Sequence, residues 1–185
     1  MTMKVCVTAQ HTFEDVEKYL FPIKQFGREK ARKGTYDDWD EAKHTAQWLQ
    51  NAMASVQTQE QSRLNIYYLE EDQKIIGVAF ALINSSITLE SLSSDGVVPD
   101  AVNIAHVTGI HIVEDYRGKG RGSSWLQGEV FADLRREGVQ QVYIRSSHHK
   151  ALALYERLGT KVGNYISISD SNLYQRYGYI YKIDL

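Results

Sequence analysis

The residues best suited to chemistry form one short stretch in the second half of the chain, Arg117-Gly118-Lys119-Gly120-Arg121-Gly122-Ser123. It follows a β-branched run that predicts a strand over 104–113 and precedes an amphipathic run that predicts a helix over 123–137. A glycine turn between strand and helix presents backbone N–H groups at the positive end of the helix dipole, and glycine lets a ligand come close. The stretch favours a pyrophosphate-binding turn, with a plain surface turn as the alternative.

Two familiar phosphate motifs do not occur in this stretch. The spacing G-x-x-x-x-G-K-[ST] of nucleotide P-loops is absent, and the alternation of Gly118, Gly120 and Gly122 does not form G-x-G-x-x-G. Arg117, Lys119 and Arg121 add positive charge beside the turn. The predicted phosphate-binding turn is therefore neither a nucleotide P-loop nor a dinucleotide-binding motif.

His106 is the candidate general base. On the predicted strand, period-two alternation places it on one face with Thr108, Ile110 and Ile112, and places His111 on the other face. An imidazole, with an unperturbed pKa of about 6.5, can take the proton that a primary amine carries at neutral pH. A half-buried structural histidine is the alternative.

Tyr155 is a further candidate site residue. It lies on a predicted helix over 148–158 and shares a face with Ala151 and Leu158, so a core aromatic is the alternative.

The adjacent His148 and His149 have no carboxylate or thiolate partner at ligand spacing, and we expect no metal site.

The remaining chain alternates strand and helix patterns. Strands are predicted over 3–9, 65–70, 74–83, 104–113, 141–146, 161–169 and 179–183. Helices are predicted from Thr12, over 35–59, 123–137 and 148–158, and a long loop over 85–99. No repeat or linker interrupts the pattern, so residues 1–185 are expected to form a single mixed α/β domain, one sheet flanked by helices.

Composition narrows the function classes. The 185 residues are 43% hydrophobic with a net charge of −2, which provides no field that would gather nucleic acid or an anionic membrane. The one cysteine allows no disulfide framework. No run of about 18 apolar residues and no secretory leader pattern is present. We expect a cytoplasmic protein without nucleic-acid or membrane partners.

The motifs resemble the GNAT superfamily of N-acyltransferases. Its signature [RQ]-x-x-G-x-[GA] is similar to the segment from Arg117 to Gly122, and its A-x-x-x-Y-x-x-x-G helix is similar to the segment from Ala151 to Gly159. The motifs make the resemblance specific over residues 103–160. Elsewhere the chain matches the family only in the order of its strands and helices. Two positions depart from the pattern, His148 where asparagine is common and Thr160 where phenylalanine is usual.

The resemblance implies a mostly antiparallel sheet, acetyl-CoA as co-substrate and direct attack of an amine on the thioester. It implies that the backbone of Ile110, His111 and Ile112 pairs with the pantetheine arm, with the Ile112 N–H as oxyanion donor. It further implies that the pyrophosphate lies against Arg117, Gly118, Lys119, Gly120, Arg121, Gly122 and Ser123. Tyr155 would protonate the leaving thiolate, and His106 occupies a strand on which some members carry their base.

Two other function classes stay open. A non-catalytic acyl-CoA-binding sensor would need the glycine turn but not Tyr155. A nucleic-acid module is disfavoured because Glu114 and Asp115 flank the basic residues. The acceptor, a small amine or a peptide amine, stays undetermined, as do the length of the acyl group and the oligomeric state, with a homodimer as one option.

Overall fold

The computed structural model describes residues 2–7, 11–34, 39–118 and 120–185, and within them the chain forms a seven-stranded sheet. The strands are β1 Thr2–Val7, β2 Arg63–Glu71, β3 Lys74–Ile83, β4 Ile104–Ile112, β5 Gln141–Ser146, β6 Thr160–Ile168 and β7 Gln175–Asp184. Their order is β1-β2-β3-β4-β5-β7-β6. The β4–β5 pair is parallel and the other neighbouring pairs are antiparallel. The predicted mixed, mostly antiparallel sheet is confirmed.

The helices of the described chain lie on both faces of this sheet. They are α1 Phe13–Val16, α2 Phe21–Arg32, α3 Glu41–Thr58, α4 Ser86–Ser94, α5 Arg121–Trp125, α6 Phe131–Arg136 and α7 His149–Leu158. A 3-10 turn, Glu17–Leu20, joins α1 to α2, and a π turn, Leu126–Val130, makes α5 and α6 one continuous helix. None of these helices is long and apolar enough to cross a membrane, as far as the described residues go.

Alternating side chains of the central strands fill two cores. Val78, Phe80 and Leu82 of β3 pack with α2 and α3, and this side is called the α3 face. Ala79 and Ala81 belong to the core formed with α5, α6 and α7, and this side is called the α7 face. A strand buried on both sides in this way has a continuous apolar run, as β3 does.

The predicted loop over 85–99 is wrong, because residues 86–94 form α4. The Ser85 hydroxyl accepts from the Ile87 N–H at 3.3 Å and caps the helix, whose Thr88 and Leu92 are buried. The helix is short and contains four serines, a composition that sequence patterns assign to loops.

Most other predicted elements are confirmed within a few residues. The β2–β3 hairpin turns at Asp72 and Gln73, which have φ values of 49° and 61°. The helix predicted over 35–59 begins at Glu41, where Asp40 accepts from the Lys43 N–H at 3.0 Å. Residues 35–38 of that prediction, and residues 8 and 9 of the strand predicted over 3–9, lie outside the described chain.

Candidate functional site

A bulge at Gly109 determines where the second half of β4 directs its side chains. Thr108 lies opposite Phe80, but His111 lies opposite Val78, so β4 has one more residue than β3 over this interval. Gly109 has a φ of 62°, a conformation that glycine enters without strain. A Cβ at Gly109 would lie 2.6 Å from the Phe80 ring, so the close approach also requires glycine.

The bulge corrects the predicted alternation. Ile110 and Ile112 pack against the α7-face core, whereas His106 and His111 both lie on the α3 face. The prediction that His106 shares a face with the two isoleucines is therefore wrong. His111 lies on the face opposite the isoleucines, as predicted, but on the same face as His106. Gly109 inside a strand pattern was the signal that could have indicated a bulge.

β4 and β5 separate soon after they begin. Their parallel pairing joins residues 104–106 to 141–143 and does not continue to the strand ends. The Val113 N–H bonds to the Ile76 carbonyl on β3 at 2.9 Å, so the antiparallel alternation turns the N–H and C=O of Ile112 toward the β5 side. The same alternation turns the backbone of His111 toward β3. Of the three residues predicted to contact pantetheine, Ile110 and Ile112 direct their backbone groups toward the β5 side, and His111 does not.

The glycine turn follows directly from this strand edge. Gly118 and Gly120 have φ values of 92° and 72°, and open space surrounds both. A Cβ at Gly122 would lie 3.4 Å from the Ile112 side chain, so this part of the turn packs on β4. The continuous helix begins directly after Gly120, which leaves its first N–H groups at the turn. Lys119 lies outside the described residues.

Arg117 ties the turn to α2. Its Nε donates to the Ile112 carbonyl at 2.6 Å, and a terminal nitrogen lies 2.7 Å from Glu29. The guanidinium also lies over the Phe26 ring, 5.4 Å from its centre. The side chain therefore orients the turn, and the Arg117 N–H is itself bonded to the Glu114 carbonyl at 3.0 Å.

The splayed strands enclose a cleft of about 530 Å³ that is lined from both faces of the sheet. Its α7-face wall includes Ile112, Gly122, Leu126, Ile144, Ala151, Leu154 and Tyr155. Tyr155 is 6% exposed and its ring lies 5.8 Å from that of Tyr181. Burial raises the pKa of Tyr155, so its phenol is protonated at neutral pH and is a proton donor.

The α3-face wall carries two histidines around an aromatic ring. The Phe26 ring of α2 lies 5.1 Å from His111 and 5.7 Å from His148, whose ring stacks on His149. Burial lowers the pKa of His111 to about 4 and also lowers the pKa of His148. Both imidazoles are therefore neutral at pH 7 and can accept a proton. The Nδ1 of His111 has no hydrogen-bond partner among the described residues.

His106 lies apart from this cleft. Among the described residues, the cleft lining includes His111 and His148 but not His106. The His106 ring packs edge-on against Trp48 at 5.8 Å, and its Nε2 is shut off from solvent without a partner in the described chain. Burial lowers the pKa of His106 to about 4. The structure thus separates the two residues, His106 and Tyr155, that were predicted as catalytic.

Several cleft residues have no recognisable pattern in the sequence. They come from the start of α3 and from β5, β6 and β7, and they are Trp39, Glu41, His44, Arg145, Tyr165 and Arg176. Arg176 meets Glu41 and Trp39 across more than 100 positions of the chain, and Arg145 meets Tyr165 across 20. Neither hydrophobic periodicity nor a local sequence motif predicts such tertiary contacts.

Two ion pairs hold the β6–β7 hairpin against the start of α3. Asp170, in the loop between the strands, lies 3.2 Å from His44 Nε2 and 3.5 Å from Lys43 Nζ. Arg176 lies 3.6 Å from Glu41 and stacks on Trp39. The hairpin therefore forms one side of the α3-face wall. Within the described chain, no group of three His, Cys, Asp or Glu side chains is placed to hold a metal ion.

The cleft between β4 and β5 ends at the glycine turn that the sequence predicted. The sequence profile of the acetyltransferase (GNAT) family matches residues 29–160. The chain belongs to the GNAT acetyltransferase family. The matched region contains β4, the turn, Tyr155 and the cleft histidines His44, His111 and His148.

Individual relatives of this GNAT protein are more distant. An N-alpha-acetyltransferase of Saccharolobus solfataricus is 29% identical over 106 residues, a match that spans 51% of this chain and 64% of that relative. The solved structure of a ribosomal-protein-alanine N-acetyltransferase from Brucella melitensis has a TM-score of 0.57 at 15% identity and covers 100% of both chains. A PaiA N-acetyltransferase from Thermoplasma acidophilum, solved with coenzyme A, has a TM-score of 0.54 at 13% identity, again over 100% of both chains. These structures establish the fold.

Proposed function

We propose that the protein moves an acetyl group from acetyl-CoA to a primary amine by direct attack in a ternary complex. The observation that carries this proposal is the cleft between β4 and β5, because it is lined from both faces of the sheet. A donor on the α7 face and an acceptor on the α3 face can meet there side by side. The Thermoplasma acidophilum relative solved with coenzyme A supports the donor class.

The donor is held mainly by backbone groups. The edge of β4 at Ile110 and Ile112 faces the β5 side and takes the amides of the pantetheine arm, as an added strand does; the Ile112 carbonyl on this edge also accepts from Arg117. The turn from Gly118 to Ser123 takes the pyrophosphate on N–H groups at the start of the helix. This assignment explains why the turn needs two glycines with positive φ and open space around them.

The chemical step needs a base, an oxyanion donor and an acid. The acceptor ammonium gives a proton to the base, its nitrogen forms the new bond to the acetyl carbon, and the carbon–sulfur bond breaks. The Ile112 N–H, directed toward the β5 side, stabilises the charge on the thioester oxygen. Tyr155 gives its proton to the departing thiolate. The nitrogen loses its second proton as the amide forms, and that proton goes to solvent, from which the Tyr155 phenolate is protonated again.

For the base, the cleft favours His111 over the sequence candidate His106. His111 lines the cleft, whereas His106, whose pKa burial lowers equally, packs against Trp48 outside it. His148 faces the same Phe26 ring and can pass the proton outward. His111 is therefore proposed as the base, with His106 supporting the strand behind it.

Calorimetric titration with acetyl-CoA tests the donor site. Ser123→Glu places a carboxylate at the proposed pyrophosphate position, while Ser123→Gln provides a matched neutral side chain, and both lose the Ser123 hydroxyl that accepts from Gln127 at 2.6 Å. We expect micromolar binding by the wild type and the Gln variant, and at least tenfold weaker binding by the Glu variant. Absence of binding to the wild type would overturn the proposed function.

A further inference from the structure

We infer that Glu29 of α2 is a positioning residue for the donor site, because it holds the Arg117 guanidinium on the Ile112 carbonyl and so fixes the glycine turn against the end of β4. This inference rests on the proposed function and names a residue that serves the same site from another element. Glu29 is not among the described residues that line the cleft, whereas Arg117 is. Glu29 therefore acts through Arg117 and not by contact with the ligand.

One guanidinium group joins α2 to the strand end. The Nη1 of Arg117 lies 2.7 Å and 3.0 Å from the two carboxylate oxygens of Glu29. The Nε of Arg117 donates to the Ile112 carbonyl at 2.6 Å, and its guanidinium carbon lies 5.4 Å from the centre of the Phe26 ring. Phe26 and Glu29 are three residues apart on α2 and share one face of the helix. These contacts of Arg117 with Glu29 and Ile112 are called the Arg117 anchor.

The turn needs an anchor because its glycines supply few constraints of their own. Gly118, directly after Arg117, and Gly120 have positive φ values, and a Cβ at either position would meet nothing within 4 Å. Glycine has more backbone freedom than any other residue. A site that is ordered before its ligand arrives loses less conformational entropy on binding. The anchor therefore strengthens acetyl-CoA binding by ordering the start of the turn.

Glu29 is charged and largely enclosed. Its side chain is 12% exposed, and the Nζ of Lys33, one helical turn further along α2, lies 2.9 Å from it. Burial acts to raise the pKa of Glu29, but hydrogen bonds from Lys33 and Arg117 outweigh burial and hold that pKa below its usual value. The carboxylate is therefore ionised at neutral pH, and hydrogen bonds between ionised partners are the stronger class.

The direction of the effect distinguishes positioning from simple electrostatics. A carboxylate near an anion site repels the anion, so removal of its charge by itself strengthens anion binding. Loss of the Arg117 anchor has the opposite effect, because the turn gains freedom that the ligand must then remove. Glu29→Gln therefore weakens acetyl-CoA binding if Glu29 positions the turn, and strengthens it if Glu29 acts only through its charge.

Glu114 provides a matched control. It lies in the 3-10 turn directly before Arg117, and its carboxylate pairs with Arg32 and Lys33 of α2. Glu114→Gln removes the same charge beside the glycine turn but keeps the bonds of the Arg117 side chain to Glu29 and to the Ile112 carbonyl.

Calorimetric titration with acetyl-CoA tests the inference. We expect Glu29→Gln to raise the dissociation constant at least about fivefold. We expect Glu114→Gln to lower it or to leave it within about twofold of the wild type. Equal or tighter binding by Glu29→Gln, or equal weakening by the two variants, would overturn the inference.

A double-mutant cycle then assigns the effect to the pair of Glu29 and Arg117. Arg117→Lys keeps the positive charge, but a single ammonium cannot reach the Glu29 carboxylate and the Ile112 carbonyl with separate nitrogens of one planar group. We expect Arg117→Lys to weaken acetyl-CoA binding, and Glu29→Gln to add less than about a twofold effect in that background. Effects of the two substitutions that multiply would contradict the assignment.

Failure of the inference is separable from failure of the proposed function. Acetyl-CoA binding by the wild type with unchanged binding by the Glu29 variant contradicts the positioning role alone, even if urea titration shows a loss of stability. No binding by the wild type contradicts both. If Glu29→Gln does not fold, Arg117→Lys still decides, because binding equal to that of the wild type would contradict the anchor.

Discussion

At the scale of single residues, a substitution at Tyr155 distinguishes a role in catalysis from a role in binding acetyl-CoA. Tyr155→Phe keeps the buried ring against Tyr181 but removes the proton. We expect kcat to fall at least about 10²-fold, the typical contribution of a general acid, while the dissociation constant for acetyl-CoA changes less than about twofold. Thiol release and calorimetry measure the two quantities. An unchanged kcat would remove the acid role, and no turnover in the wild type would favour the acyl-CoA sensor.

The choice between the two β4 histidines is a second prediction at this scale. Asparagine keeps a polar side chain of similar size but cannot act as a base at neutral pH. We expect His111→Asn to lower kcat more than His106→Asn does, because His111 lines the cleft. The reverse order, measured at saturating acetyl-CoA, would restore His106 as the base.

Burial of neutral imidazoles also predicts how stability depends on pH. The pKa of His106 falls from 6.5 in the unfolded chain to about 4 in the fold, so the unfolded state binds more protons between these values. The free energy of unfolding is therefore highest above pH 6.5 and decreases as pH falls toward 4. His106→Gln removes this proton uptake and should reduce the decrease between pH 7 and pH 5 by about 1–2 kcal/mol. Urea titrations at both pH values measure it, and parallel losses in variant and wild type would contradict it.

At the scale of elements, the β4 bulge is the feature that the cleft most depends on. Gly109→Ala forces a side chain into a φ of 62° and against the Phe80 ring. We expect the free energy of unfolding to fall by about 2–4 kcal/mol, and acetyl transfer to fall as the register of β4 changes. Gly128→Ala is the control, since its Cβ meets nothing within 4 Å and should change stability by less than about 1 kcal/mol. Equal effects of the two substitutions in urea titrations would contradict the role of the bulge.

The strands and helices also show which parts of the fold the sequence could predict. Strand β5 was predicted to the residue, and the glycine turn and the Tyr155 helix were found because their motifs are local. Helix α4 was missed because its four serines resemble a loop, and the β4 side chains were assigned to wrong faces because a period of two contains no bulge.

At the scale of the whole molecule, the donor side of the cleft was predictable and the acceptor side was not. The donor side is continuous in sequence from β4 to the turn, so its motif survives in one segment. The acceptor side joins α2, the start of α3, β5 and the β6–β7 hairpin, and depends on pairs such as Arg176 with Glu41. Such tertiary pairs follow from the packed fold, which is why Phe26, Glu41 and Arg145 had no signal in the sequence.

The central claim is that donor and acceptor react directly while both occupy the cleft. The measurement that tests it most directly is the initial rate of thiol release with acetyl-CoA and a primary amine acceptor both varied, together with detection of the acetylated amine. Direct attack predicts intersecting lines in double-reciprocal plots and no thiol release without an amine. Parallel lines, or release that does not depend on the amine, would show that the acetyl group passes through another acceptor and would contradict the account.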